Sequence, residues 1–424
     1  MTMTLITQDE RTRQRSWELL LLRAANRISL TPSQYQTIDD RYTQLQKILS
    51  VSTNPLLAGA HIFVQGSMRL RTTINPVTGA PKDLGTIDAD AIIWLPNAAN
   101  ADAMTVMNAI EERFKEGSRV QSAIKPLRRG IRIEYADENP GFHIDITPAR
   151  NVRGNFERDG KGKLEVPDRD IQDWKPSSPI SYADWLNDAS EQHITLEREL
   201  VAAMESYSRT LDSATTQEPL PTYQEYDKLD PLRATVKLLK RHRDEWAIET
   251  GATNHRPISA VITTLATHAY LRVVQESKAS PLTPVEAIIK IVQKMRQFIG
   301  FNEGEYQVLN PEDRGENFAE KWNKPGEGEK YRAAFNNWHA SAEVAIQLGL
   351  KSHESEDAFA RAMNSTFGIG NALISEVNRQ IPGSWTMPGR TPGTTRNKAA
   401  AAVFYSGASQ SKSQSGVEPV ERLG

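Results

Sequence analysis

Two aspartates one residue apart, Asp88 and Asp90 in TIDADAIIWL, are the residues best placed to do chemistry in this sequence. On an extended strand, side chains two apart point to the same side, so both carboxylates aim at one spot. The alternating Ile87, Ala89, Ala91 and Ile93 supply the apolar side that packs inward. Asp145, in HIDITPAR, repeats the arrangement between Ile144 and Ile146. If the two strands are neighbours, three carboxylates converge. Acidic groups crowded in this way repel one another, and such a cluster ordinarily serves hard cations that take oxygen ligands. Two Mg2+ ions, or Mn2+ in their place, are the expected occupants. One would lower the pKa of an attacking hydroxyl, and the other would neutralise charge on a phosphate chain and its leaving group. Surface strands also carry acidic residues for no such purpose, so DxD alone does not decide the matter.

Gly66-Ser67, in IFVQGSMRLRTT, narrows the choice. A glycine at a strand-to-helix turn lets the backbone approach phosphate closely, and a serine in the first helical turn offers both an amide and a hydroxyl. The basic Arg69 and Arg71 follow, although cations after a turn are ordinarily solvated. His143 shares the face of Asp145, where a hydrogen-bonding role beside the ligands is the expectation rather than ligation.

The elements that position these groups are legible from periodicity. Helices are predicted at 9–28, from Thr31 with Pro32 and Gln34 forming a start signal, and at 102–116. Short apolar runs broken by Gly, Pro and Asn, at IFVQGS, TIDADAIIWLP and RGIRIEYADENPGFHIDITPAR, predict a mixed sheet. Beyond about residue 190 the pattern is helical: 191–211, 231–248, a start at Pro257, then 284–300 and 331–350, with the polar stretch between the last two read as loop. The fold class expected is α+β, and the division is 1–50 as N-terminal helices packing on the core, 51–210 as the core, 211–385 as a helical lobe and 386–424 as a flexible tail.

The order QGS, DAD, HID resembles the nucleotidyltransferase pattern of the polymerase-beta type. It is more closely similar to the cyclic GMP–AMP synthase, oligoadenylate synthase and bacterial dinucleotide cyclase group, the CD-NTases. The likeness extends over roughly 15–325 through LTPSQYQ, VPDRDIQDWKPSSPISYADWL, KLLKRHRD, RPISAVITTLATHAY and NPEDRGENFAEKW. It implies a polymerase-beta-like core with an oligoadenylate-synthase-like helical lobe. It also implies that Gly66 and Ser67 hold a donor triphosphate, that Asp88, Asp90 and Asp145 are catalytic and bind the metals, and that Lys240 and Ser259 reach the phosphates. From the residues alone, Lys240 lies on a helix with Lys237, Arg241 and Arg243, for which a solvated basic face is the ordinary reading. Ser259, shortly after Pro257, is an ordinary helix-start hydroxyl. Trp174 and Tyr182 are aromatic enough to stack on bases, with a core role the stronger expectation.

The activity implied is condensation of ATP, with or without GTP, into a cyclic oligonucleotide, a trinucleotide by preference, that acts on a downstream effector in antiphage signalling of the CBASS type. A linear oligoadenylate synthase and an inactive nucleotide or nucleic-acid sensor are the alternatives. The interval from Ser67 to Asp88 carries an insertion, NPVTGAPKDLG, that the general pattern does not explain. Cysteine is absent from all 424 residues, so the zinc ribbon of the animal DNA sensor is missing and that mode of DNA sensing is not expected. The formal charge of −2 gives no global field for nucleic acid, so phosphate must be met locally. No signal peptide and no membrane-length apolar run is visible, and a cytoplasmic, bacterial location is expected. The chain closes with VEPVERLG. The resemblance reaches relatives joined through a C-terminal residue by ubiquitin-transfer-like enzymes, which makes such an enzyme acting on Gly424 an expected partner and a frayed end the equal alternative.

Overall fold

The computed structural model describes residues 7–117, 124–135, 140–197 and 230–390. It opens with α1 (Gln8–Arg27) and α2 (Pro32–Ser50). Each begins with a capping box, and in α2 the Thr31 side chain accepts from the Gln34 amide while Gln34 reaches back to the Thr31 N–H at 2.8 Å. The sheet region follows as β1 (His61–Gln65), the short α3 (Gly66–Arg69), β2 (Ile87–Trp94), α4 (Ala103–Gly117), β3 (Ile124–Leu127), β4 (Gly130–Tyr135), β5 (Phe142–Asn151), β6 (Leu164–Asp168) and β7 (Asp173–Ser177).

These seven strands form one mixed sheet in the order β1-β2-β5-β4-β3, with β6 added to the far end of β5 and β7 to β6. Only β2 and β5 are parallel to each other. One face carries Ile87, Ala89, Ala91 and Ile93 with Ile144, Ile146, Ile131 and Ile133, packed on α2 and α4 through Leu45, Leu49, Val106, Ile110 and Phe114. On the other face β2 presents Asp88 and Asp90 at its start and then the buried Ile92 and Trp94, which join Ala149, Leu164 and Val166 in a small second cluster. One strand face is thus polar where it meets the cleft and apolar where it is covered.

The helical half comprises α5 (Pro179–Glu191), α6 (Pro231–Thr250), α7 (Ser259–Ser277), α8 (Pro284–Lys294), α9 (Gly328–Ile346), α10 (Glu356–Phe367) and α11 (Asn371–Gln380). These helices share a single apolar core with α1, whose Trp17, Leu20, Leu21 and Ala24 are buried among them. The two opening helices therefore part company: α2 lies on the sheet and α1 in the lobe, whereas the sequence suggested both on the core. The lobe's packing also begins earlier than residue 211, since Tyr182, Ala183, Leu186 and Ala189 of α5 belong to it. The helix expected over 191–211 does not start there, because α5 ends at Glu191 and Leu196 makes a parallel bridge to Leu282; the remainder lies outside the described residues. The stretch read as loop holds two small hairpins, β8 (Gly300–Asn302) with β9 (Glu305–Gln307) and β10 (Leu309–Asn310) with β11 (Asp313–Asn317). Residues 386–390 pack rather than trail away: Met387 is fully buried and Arg390 pairs with Glu356 at 2.6 Å. Gly424 and the rest of the expected tail lie outside the described residues.

Sheet and lobe are joined by a charge network on Glu320, which meets Arg128 at 2.9 Å, Arg129 at 3.2 Å and Lys175 at 2.8 Å. Among the described residues no helix is long and apolar enough to cross a membrane.

Candidate active site

Strand register assembles the acidic cluster. Parallel pairing sets Asp90 level with Asp145 and Asp88 level with His143, so neighbouring strands roughly 5 Å apart bring the three carboxylates together. Antiparallel pairing sets Gln65 opposite Asp90, which hangs the turn at Gly66 over that aspartate. Gly66 adopts φ +58°, and a Cβ there would lie 2.0 Å from Asp90 Oδ2. Glycine is required on both counts. Ser67 follows in the first turn of α3, and its Oγ accepts from the Thr73 hydroxyl at 3.0 Å.

The three carboxylates titrate differently because their partners differ. Asp88 stands at the mouth of the cleft with 60% of its side chain open. Surrounding protein works to raise its pKa, but the hydrogen bond from His143, followed by the charges of His143, Lys240 and Arg132, brings it down to about 2. Asp90 is pushed well above the ordinary carboxylate range, first by burial and then by repulsion from Asp88 and Asp145. Burial also raises Asp145, with Asp88 adding to it, against the lowering effect of Arg132.

The basic helix face expected to be solvated is buried instead. Lys237, Lys240, Arg241 and Arg243 of α6 are between 5 and 8% exposed, and each has found an oxygen. Lys240 Nζ donates to the Thr72 carbonyl at 3.0 Å, Arg241 to that of Asn75 at 2.7 Å, and Lys237 to Ser29 Oγ at 2.8 Å. Arg243 donates to the Pro257 carbonyl at 3.2 Å and to Ser259 Oγ at 3.0 Å. Helix α7 begins at Ser259 rather than Pro257. These cations pin the segment after Ser67, including the inserted NPVTGAPKDLG, whose Asn75 amide side chain also donates to the Ser29 carbonyl at 2.6 Å. Burial, then the neighbouring Arg243 charge, lowers the Lys240 amine to about 8.

Ser67, Asp88, Asp90, Asp145, Lys240 and Ser259 all line one cleft, with Gly66 on its rim through its contact with Asp90. The same cleft presents three cations the sequence reading did not assign, Arg132, Arg243 and Arg256. Arg132 grips Asp145 with Nε on Oδ1 at 2.7 Å and Nη2 on Oδ2 at 2.9 Å. The alternation Ile131-Arg132-Ile133 was the available signal, since it puts Arg132 on the polar face, but only register names its partner. His143, 3% exposed, bonds Asp88 through Nε2 at 2.9 Å and Thr86 through Nδ1 at 3.1 Å, so it orients an acidic side chain. The two aromatic candidates are structural: Tyr182 is buried and bonded to Thr264 at 2.8 Å, and Trp174 lies under Arg150 with its indole N–H on the Ala101 carbonyl.

The residues present fit a divalent ion. Ligand atoms of Asp88, His143 and Asp145 lie within 4.8 Å of one another, and beside burial, the main cause of the raised Asp90 carboxyl, Asp88 and Asp145 add a repulsion that a cation would relieve. Carboxylate oxygens suit Mg2+ or Mn2+, and His143, bonded to Asp88 and to Thr86, holds one of those carboxylates in place.

A mixed sheet that carries a carboxylate trio beside a glycine-serine turn, capped by a helical lobe, has the fold of the polymerase-beta-type nucleotidyltransferases. Residues 20–190 match the model of the Second Messenger Oligonucleotide or Dinucleotide Synthetase domain, SMODS. The chain is similar in structure to Bradyrhizobium diazoefficiens CdnG solved in complex with GTP, at TM-score 0.58 and 18% identity, over 86% of this chain and 98% of that one. Escherichia coli MS115-1 CdnC, solved in a CdnC:HORMA-deltaN complex, matches at TM-score 0.49 and 12% identity over 85% and 97% of the two chains. The apo form of Vibrio cholerae DncV matches at 0.46 and 13% over 86% and 88%. No curated protein sequence matches the chain.

Proposed function

We propose that the protein condenses ATP, with or without GTP, into a cyclic oligonucleotide, a trinucleotide by preference, which signals to a downstream effector in antiphage defence. The observation that carries this reading is the convergence of Ser67, Asp88, Asp90, Asp145 and Lys240 on one cleft from separate elements of the sheet and the lobe. In the reading, the amides at the start of α3 and the Ser67 hydroxyl take the β- and γ-phosphates, helped by the adjacent Lys240 amine. Asp88, Asp90 and Asp145 hold two divalent ions, which when bound supply activation of the acceptor hydroxyl and charge neutralisation at the leaving pyrophosphate. Gly66 keeps the backbone close enough to Asp90 for phosphate and ions to share one site. His143 fixes the Asp88 carboxylate, and Ser259 lies one arginine away from the phosphates through Arg243. GTP as a second substrate is prompted by the CdnG complex.

The test is incubation with all four triphosphates and Mg2+ or Mn2+, phosphatase treatment, and mass analysis. A phosphatase-resistant product is expected, because a ring has no terminal phosphate. A phosphatase-sensitive ladder would make the protein a linear synthase, and no turnover with any triphosphate and either ion would leave a sensor.

A further inference from the structure

Arg132 sits where a site without its metals needs a cation. Strand β4 runs antiparallel beside β5 with Arg132 directly opposite Asp145, and the planar guanidinium occupies both carboxylate oxygens at 2.7 and 2.9 Å. Neither side chain is a free surface group, at 18 and 21% exposed. The arginine lines the same cleft as Ser67 and Lys240. A fork that matches a carboxylate matches a phosphate equally well. Building on the function proposed above, we propose that Arg132 is a positioning residue that holds Asp145 in place of a second divalent ion until nucleotide arrives, then transfers its fork to the triphosphate and releases Asp145 for metal.

The exchange conserves what each group needs. Arg132 gives up two charge-assisted hydrogen bonds to a carboxylate and regains two to phosphate. Asp145 gives up a guanidinium and gains an ion. A triphosphate adds several negative charges to a cleft already holding four acidic side chains, Asp88, Asp90, Asp145 and Asp244, so the cation count must rise at the moment of binding. Ion and nucleotide therefore assist each other's binding, and by linkage the assistance is mutual. His143 does not play this part for Asp88, since it bonds Oδ1 alone and leaves the other oxygen open to the cleft.

The experiment counts bound Mn2+ on the full chain by the loss of the free-ion paramagnetic resonance signal, with no addition, with inorganic tripolyphosphate, and with an α,β-methylene ATP analogue. Wild type should bind one ion tightly alone and take up a second only with either polyphosphate. In Arg132→Met the second ion should bind without polyphosphate, about 10-fold tighter than in wild type, while tripolyphosphate affinity falls. Arg132→Lys, which keeps the charge and loses the fork, should fall between. Should Arg132→Met fail to fold, the wild-type count still decides. Two ions on the nucleotide-free wild type, or an unchanged second site in a folded Arg132→Met, would overturn the role of Arg132 and leave the proposed activity standing. No Mn2+ under any condition would remove both.

Discussion

Replacing Gly66 by alanine imposes two costs that can be measured apart. The first is conformational: φ +58° is a left-handed geometry that an L side chain occupies at a cost of about 1 kcal/mol. The second is steric and lands on the chemistry. The new methyl would lie 2.0 Å from Asp90 Oδ2 and 2.8 Å from its Cγ, where ordinary contact is 3.4–4 Å, so the carboxylate must move by over 1 Å. Misplacement of a reacting group by that distance costs on the order of 100-fold in rate. Gly79 supplies the control, with φ +76° and nothing within 4 Å of the methyl an alanine would add. Urea unfolding followed by tryptophan fluorescence should show both Gly66→Ala and Gly79→Ala losing about 1 kcal/mol. Pyrophosphate release at saturating ATP and Mn2+ should fall about 100-fold in Gly66→Ala alone. Turnover of Gly66→Ala within about threefold of wild type, or an equal loss in Gly79→Ala, would refute the claim that this glycine exists to admit Asp90.

Three further outcomes follow from the same geometry. Asp88→Ala combined with Asp90→Ala should abolish pyrophosphate release while leaving the urea midpoint unchanged or raised, because the lost groups repel each other; a clear drop in stability would show that they serve the core. The Lys240 amine, lowered to about 8, carries its charge below that pH and loses it above, so KM for ATP should climb as pH passes about 8 and Lys240→Arg should flatten the climb. Glu18 in α1 is 8% exposed, and burial, against hydrogen bonds from Val285, Gln14 and Thr283, raises it from 4.5 to about 7. A raised acid stabilises the fold fully below 4.5 and loses that contribution as pH climbs to about 7, a loss of roughly 3 kcal/mol. Glu18→Gln should therefore be the more stable protein at pH 8 and converge with wild type near pH 4, in urea titrations at each pH.

How far the sequence could be read depended on the range of the interaction being read. The sidedness of TIDADAIIWL is local, set by a two-residue period, and it placed Asp88 and Asp90 together without any knowledge of their neighbours. The Thr31 capping box is equally local. Which strand lies beside which is not: the level pairing of Asp90 with Asp145 spans the helix α4 and two other strands. The same limit hid Arg132, whose type and face were visible and whose partner was not. KLLKRHRD reads as a solvated helix face because four cations in seven positions ordinarily find water. Here they find carbonyl and hydroxyl oxygens on distant segments, 168 residues away for Lys240. The short hairpins over 300–317 were invisible for another reason. Their strands are held by side-chain amides, Asn317 and Asn323 both donating to the Tyr306 carbonyl at 2.9 Å, rather than by an apolar alternation.

The buried cations of α6 explain why a lobe outside the matched domain belongs to the site. Thr72, Asn75 and Pro76 follow closely on the glycine-serine turn, and their carbonyls would be costly to bury without donors. Lys240 and Arg241 supply those donors from the lobe. The turn that would receive phosphate and the helix that would add positive charge are consequently one packed unit, and the lobe cannot swing away from the turn without stranding either a charge or a carbonyl. The sheet side is tied separately through Glu320 to Arg128, Arg129 and Lys175. That second tie is only partly buried and made of charge, so it weakens in salt, whereas the first does not. Any opening of the cleft should therefore pivot about the α6 contact and loosen at Glu320.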